Sequence, residues 1–165
     1  MARSFRFPTV AMEPTLMGAS HGTPDYVIVD RVSYLFSKPK RGDLVVFRTT
    51  GIIIEGDGEV FFVKRLVGLP REQIKIRDGH VFADGRLLDE SSGIPPITYT
   101  SPPQALPTVI GEGGSFTVPQ DGFFFLGDNS THSLDSRYWG SVPRKNIYGR
   151  VSRIYYPLSR IGVPH

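Results

Sequence analysis

Cysteine is absent from the 165 residues, tryptophan occurs once, and no apolar run approaches the roughly 18 to 20 residues that cross a bilayer as a helix. Without cysteine there are no disulfides, no thiolate metal sites and no cysteine nucleophile, and the redox compartment stays undetermined. The opening MARSFRFPTVAMEPTL lacks the uninterrupted apolar core of a secretory leader, so the chain as written reads as soluble. Neither charge sign dominates: 19 Lys and Arg face 16 Asp and Glu, a net of +3. Apart from Lys38-Pro39-Lys40-Arg41 the basic residues are scattered, without the aromatic-interleaved stripe of a polyanion binder, so nucleic acid is not an expected partner. That cluster reads as a solvated turn or a mild attraction to anionic lipid. Three of the four His stand alone in sequence and no metal-ligand spacing appears, so neither a metal nor a cofactor is expected.

What is present is β-forming. Hydrophobic residues make up 39%, enough for a domain-sized core, while 18 Gly and 14 Pro disfavour long helices and favour short strands joined by turns. Runs rich in β-branched and aromatic residues predict strands over 25–30, 43–47, 60–63, 123–126 and 149–156. Residues 73–77, 80–83 and 86–88, separated by Asp78-Gly79 and Asp84-Gly85, predict two consecutive hairpins. Between 89 and 118 the composition turns to Ser, Pro, Thr and Gly, which predicts a loop-rich insertion. The expected architecture is one mostly-β domain over 1–165, built of coiled, twisted antiparallel sheets.

Three segments place polar residues where a plain β-domain needs none: Pro8-Thr9-Val10-Ala11-Met12-Glu13-Pro14-Thr15-Leu16, Phe62-Val63-Lys64-Arg65-Leu66-Val67-Gly68-Leu69-Pro70, and the hydroxyl- and charge-rich stretch from Gly127 to Gly140. In the second, a lysine ends an apolar run and is partly buried if that run is a core strand. Together with Arg41-Gly42-Asp43-Leu44-Val45-Val46-Phe47, these segments resemble, in order, the boxes of type I signal peptidases, membrane-bound Ser-Lys endopeptidases that cleave signal peptides after A-x-A-like small residues.

The resemblance implies roles residue by residue. Lys64 matches the general base, whose ammonium must be desolvated against neighbours such as Val63 and Leu66 before it can accept a proton at neutral pH. Ser133 matches the hydroxyl that orients the lysine, and Thr9 the side-chain donor to the oxyanion hole beside the backbone N–H of residue 11. Arg65, Asp135 and Arg137 read as scaffold, an aspartate between two arginines that fixes the Ser133 loop near the Lys64 strand. Asp128 and Asn129 are expected to build their turn by side-chain to backbone hydrogen bonds. Phe7, Pro8, Met12, Leu16, Phe62 and Val63 are candidates to line two shallow apolar pockets; for each, plain core packing is the bland alternative. The expected partners are signal peptides of exported preproteins and a membrane surface, with Phe5-Arg6-Phe7 as part of an apolar face. The family location is the cytoplasmic membrane, with the catalytic domain on the extracytoplasmic side.

The chain departs from the family at one position. Where the nucleophilic serine is expected it reads Ala11-Met12-Glu13-Pro14-Thr15, and a methyl group forms no acyl-enzyme. Either the serine was replaced to trap a complex or prevent self-cleavage, or the chain is a naturally silent homologue; the intact remainder, and the lack of the anchor that usually precedes this box, favour replacement. A non-catalytic module that binds A-x-A segments is the reading from another class. A self-cleaving Ser-Lys repressor shares the chemistry but needs an internal scissile segment and usually a DNA-binding domain, and neither is visible. Arg41-Gly42-Asp43 reads as a turn, and Asn129-Ser130-Thr131 as a poor glycosylation site beside the catalytic residues. His132 is a weak candidate base with Lys64 available.

Overall fold

The runs bounded by Gly, Pro and Asp become strands in the computed structural model, which describes residues 2–52, 60–100, 108–110 and 113–165. These are β1 (Ala2–Arg6), β2 (Tyr26–Asp30), β3 (Leu44–Arg48), β4 (Phe61–Gly68), β5 (Gln73–Arg77), β6 (His80–Ala83), β7 (Arg86–Leu87), β8 (Ser115–Thr117), β9 (Gly122–Leu126), β10 (Val142–Pro143) and β11 (Ile147–Tyr156). Among the described residues helix is confined to single turns such as α1 (Ser33–Phe36) and α2 (Ser136–Trp139). The strands form a seven-stranded sheet in the order β1-β2-β11-β3-β4-β9-β10 and a four-stranded sheet in the order β7-β6-β5-β8. Every pairing is antiparallel, so the fold is the mostly-β one expected.

Both Asp-Gly turns form. Asp78 and Gly79 have φ of 51° and 74°, Asp84 and Gly85 of 49° and 79°, the pair of positive values that a two-residue turn needs to match the twist of its strands. The sequence reading ends the strand over 60–63 at Val63, whereas β4 continues through Lys64 and Arg65, which pair with Val45 and Leu44. Charge alone suggested an end there; both side chains are instead buried within the sheet. β1, β8 and β10 were not expected as strands. They are edge elements of two to five residues with little apolar alternation, held by their neighbours rather than by propensity. β8 falls inside the expected 89–118 insertion, of which residues 101–107 and 111–112 lie outside the described residues.

The core is continuous through β4 and β9, each buried on both faces. Phe124 and Leu126 pack with Val67, Ile74 and Ile76 beneath the smaller sheet, while Phe123 and Phe125 pack with Val45, Phe47 and Leu66 on the other side. That is why Phe123-Phe124-Phe125-Leu126 is an unbroken apolar run rather than an alternating one; each such side chain contributes about 1.5–3 kcal/mol by leaving water. The register of β4 against β9 slips between Leu66 and Gly68, near the end of the strand that leads to β5 of the smaller sheet. At Gly68 a Cβ would lie 2.7 Å from that of Phe124, so the two sheets close directly on its backbone.

Candidate functional site

Lys64 sits in the middle of β4, on the same side as Phe62, with its Nζ 5.5 Å from the centre of the Phe62 ring. It is 4% exposed. Burial lowers its pKa from 10.5 to about 8, against the attraction of Asp135 and Asp128 and with further lowering by Arg137. A large share of its neutral, proton-accepting form is therefore present at mildly alkaline pH. In the β4–β9 register Arg65 faces Leu126, the residue just before Gly127.

Gly127 is the meeting point of the expected site. A Cβ built there would fall 2.0 Å from Ser133 Oγ, 2.4 Å from Ser133 Cβ and 2.7 Å from the carbonyl oxygen of Ala11. Ser133 and Ala11 thus close on the backbone of Gly127, and both are buried, each at 5% exposure. The Ser133 hydroxyl has no hydrogen-bond partner among the described residues. Replacement of Gly127 by alanine is expected to push Ser133 and residue 11 apart and to lower unfolding stability by about 1–3 kcal/mol, read from urea denaturation; a neutral substitution would contradict this packing.

Ala11 opens a tight turn in which the Glu13 N–H donates to Val10 O and the Leu16 N–H to Met12 O. The turn is tied to the Gly127 loop at both levels of Asn129, whose backbone N–H donates to Ala11 O at 3.0 Å and whose Nδ2 donates to Val10 O at 3.1 Å. Thr9 lies just ahead on the surface, and its backbone is pressed against Gly18, where a Cβ would come within 2.5 Å of Thr9 O.

The scaffold differs from its expected form. There is no aspartate between two arginines; two separate buried pairs form. Arg65 donates Nε and Nη2 to the two oxygens of Asp128 at 2.8 and 2.6 Å, and Asp128 also accepts from Thr15 Oγ1 at 2.5 Å. Asp128 therefore reaches across to other segments, while Asn129 does both: Nδ2 donates across to Val10 O, and Oδ1 accepts from Thr131 Oγ1 at 3.3 Å within its own turn. Arg137 donates to both oxygens of Asp135 at 2.8 and 2.9 Å, and also to Thr100 O, Ser130 Oγ and Ser130 O. Asp135 in turn accepts from the Gly127 N–H at 3.0 Å. The pairs share work: Arg65–Asp128 holds the Ala11 turn to the strand of Lys64, and Arg137–Asp135 holds the Ser133 loop to Gly127. Tyr99, which sequence reasoning missed, is buried in the fields of Asp128 and Asp135, and burial pushes its phenol pKa up. No motif marked it.

The apolar candidates divide. Met12, Leu16 and Val63 are buried in a cluster with Val27, Val29 and Val46, packed by Phe5, Phe7 and Phe61. Phe62 keeps partial exposure and packs on Phe47 and Trp139. Phe7 is half-buried and Pro8 exposed, so Phe7, Pro8 and Phe62 are the ones with accessible surface. His132 is exposed and shares a hydrogen bond with the Thr131 hydroxyl. Among the described residues no group of three or more His, Asp or Glu side chains is placed to hold a metal ion, and no helix is long and apolar enough to cross a membrane.

The family model described as signal peptidase, peptidase S26, matches residues 1–156. A probable signal peptidase I-2 from Synechocystis sp. is 34% identical over 163 residues, covering 99% of this chain and 67% of that protein. Signal peptidase I of Leptolyngbya laminosa is 35% identical over 164 residues, covering 98% and 72%. Thylakoidal processing peptidase 1 of Arabidopsis thaliana is 31% identical over 167 residues, covering 98% and 44%. The crystal structure of a signal peptidase I from Enterococcus faecalis V583 superimposes with a TM-score of 0.50 at 28% identity, over 70% of this chain and 97% of that one.

Proposed function

The chain belongs to the signal peptidase, peptidase S26, family, and from that premise we propose that it is a Ser-Lys signal peptidase whose nucleophile position, residue 11, carries alanine. The observation that carries the proposal is the approach of Ala11 and Ser133 to Gly127, which follows the β9 partner of Arg65, the neighbour of a lysine that burial has brought down to about 8. A serine at position 11 would attack the scissile carbonyl carbon through Oγ while its proton passes to neutral Lys64 Nζ. The oxyanion so formed is held by the Thr9 hydroxyl and the N–H of residue 11. Lys64 then returns the proton to the departing amine as the C–N bond breaks, and later takes one from the water that hydrolyses the acyl ester. Ser133, whose hydroxyl makes no hydrogen bond to Lys64 or to any other described residue in this structure, is the group we assign to orient the lysine.

Phe7, Pro8 and Phe62 line the pockets for the small residues of an A-x-A segment, and Met12, Leu16 and Val63 back Phe7 from the core. We place the substrates among signal peptides of exported preproteins, processed at the outer face of the cytoplasmic membrane. The test incubates a purified preprotein with the chain as written and with its Ala11→Ser variant. Cleavage after the A-x-A segment by the variant alone is expected; binding by both without cleavage by either would favour a silent signal-peptide-binding homologue, for which Ala11 itself speaks.

A further inference from the structure

The turn that carries Ala11 is gripped a second time, by a side chain beyond the residues matched by the family model. Arg160 Nη2 donates to Pro14 O and Thr15 O, each at 3.2 Å, and to Asp25 Oδ2 at 3.0 Å. Its Nε donates to both Asp25 oxygens at 2.9 and 3.1 Å. Asp25 is buried, and it grasps the end of the same turn by accepting from Met17 N at 2.8 Å and donating its own N–H to Met17 O at 2.9 Å.

From these contacts we infer that Arg160 is a positioning residue of the candidate site: it fixes residues 12–17 so that position 11 stays seated on Gly127. The inference rests on the functional reading given above. On one flank the turn is held by Asp128 through the Thr15 hydroxyl, and so by Arg65, the neighbour of Lys64. Arg160 and Asp25 hold the opposite flank. The anchor is itself fixed to the larger sheet: Ile154 of β11 exchanges backbone hydrogen bonds of 2.8 and 3.2 Å with Gly162, and Arg160 lies in the single helical turn Leu158–Arg160 between them. The planar fork of arginine meets a carboxylate and two carbonyls together, a set that a lysine ammonium does not match. A nucleophile displaced by about 1 Å loses on the order of 10²-fold in rate, so a clamp on the turn acts on chemistry without touching substrate.

The test has two arms. In the Ala11→Ser protein, Arg160→Ala is expected to lower kcat by about 10- to 100-fold while KM changes by less than about threefold. The rise of the rate with pH near 8 is expected to persist, since Lys64 is untouched. Free guanidinium, admitted because Arg160 is 35% exposed, is expected to restore part of the rate, and ammonium is not. An unchanged kcat, or a loss equal to the unfolded fraction, would overturn the inference; an inactive Ala11→Ser parent would instead overturn the functional reading. The second arm needs no activity. In the chain as written, Arg160→Ala is expected to speed amide hydrogen exchange at Leu16 and Met17 by about tenfold or more, with the Val45 and Val46 amides of β3 unchanged. Unchanged exchange at Leu16 and Met17 overturns the positioning role whatever the enzyme does.

Discussion

A serine at position 11 is expected to raise preprotein cleavage by about 10⁴-fold or more over the chain as written, and Lys64→Met in that serine protein to return it to background. The two changes have effects of one size because nucleophile and base act as a unit: a hydroxyl without a proton acceptor is almost as inert as a methyl. Methionine matches the length and apolar character of the lysine stem, so the β4 core around Val45, Leu66 and Phe62 keeps its packing. Initial rates on a purified preprotein, with the new N-terminus sequenced, decide it. A serine variant that retains its rate without Lys64 would remove the lysine from the mechanism.

The same lysine makes activity and stability both rise with pH, over different ranges. Activity needs the neutral amine, so kcat/KM of the serine variant is expected to rise through a pKa of about 8. Stability follows from the folded pKa lying below the unfolded 10.5. Above 10.5 both states are neutral and folding loses nothing; between 10.5 and about 8 the unfolded chain takes up a proton that the folded one refuses, and the penalty grows; below about 8 it is constant. Lys64→Met is therefore expected to stabilise the protein at pH 7 by about 3 kcal/mol, and by much less near pH 10. Urea unfolding at the two pH values checks it, and equal stability at both would show that the lysine is solvated.

Much of this was legible in the sequence for a physical reason. Strand runs such as Asp43–Phe47 and Phe123–Leu126 carry their signal locally, in residues that must be buried on one or both faces, and the Asp-Gly turns declare their own backbone geometry. Lys64 stood out because a charge within an apolar run needs an explanation. What stayed hidden are matters of partner choice. Nothing in composition or spacing says that Asp128 takes Arg65 while Asp135 takes Arg137, since each aspartate lies close in sequence to Arg137. Asp25 and Arg160 meet across 135 positions, and β1, β8 and β10 exist because longer strands offer them an edge. Gly127 entered the sequence analysis only as the start of a polar stretch, whereas its importance is the lack of a side chain where two segments close.

Arg137→Met is expected to be the most destabilising single change at the site, by about 3–5 kcal/mol in urea unfolding. Asp135 is fully buried at 0% exposure and Arg137 is 1% exposed; without the guanidinium the carboxylate keeps only the backbone amides of Gly127 and Arg137 among its partners in the described residues. The carbonyls of Thr100 and Ser130 and the Ser130 hydroxyl lose a charged donor together. Arg65→Met is expected to cost less, because Asp128 retains the Thr15 hydroxyl and that pair anchors one contact of the turn rather than a whole loop. Neutralising the stranded charge separates the two parts of the loss. The Asp135→Asn, Arg137→Met double variant is expected to recover about 1–3 kcal/mol over the sum of the single changes, since an amide oxygen still accepts from Gly127 and no buried charge remains. What it does not recover is the grip on Ser130, so in the serine protein its cleavage rate is expected to stay low while its stability returns. A double variant that regained both would reduce the pair to a charge-balancing role, and the Ser133 loop would then owe its place to packing alone.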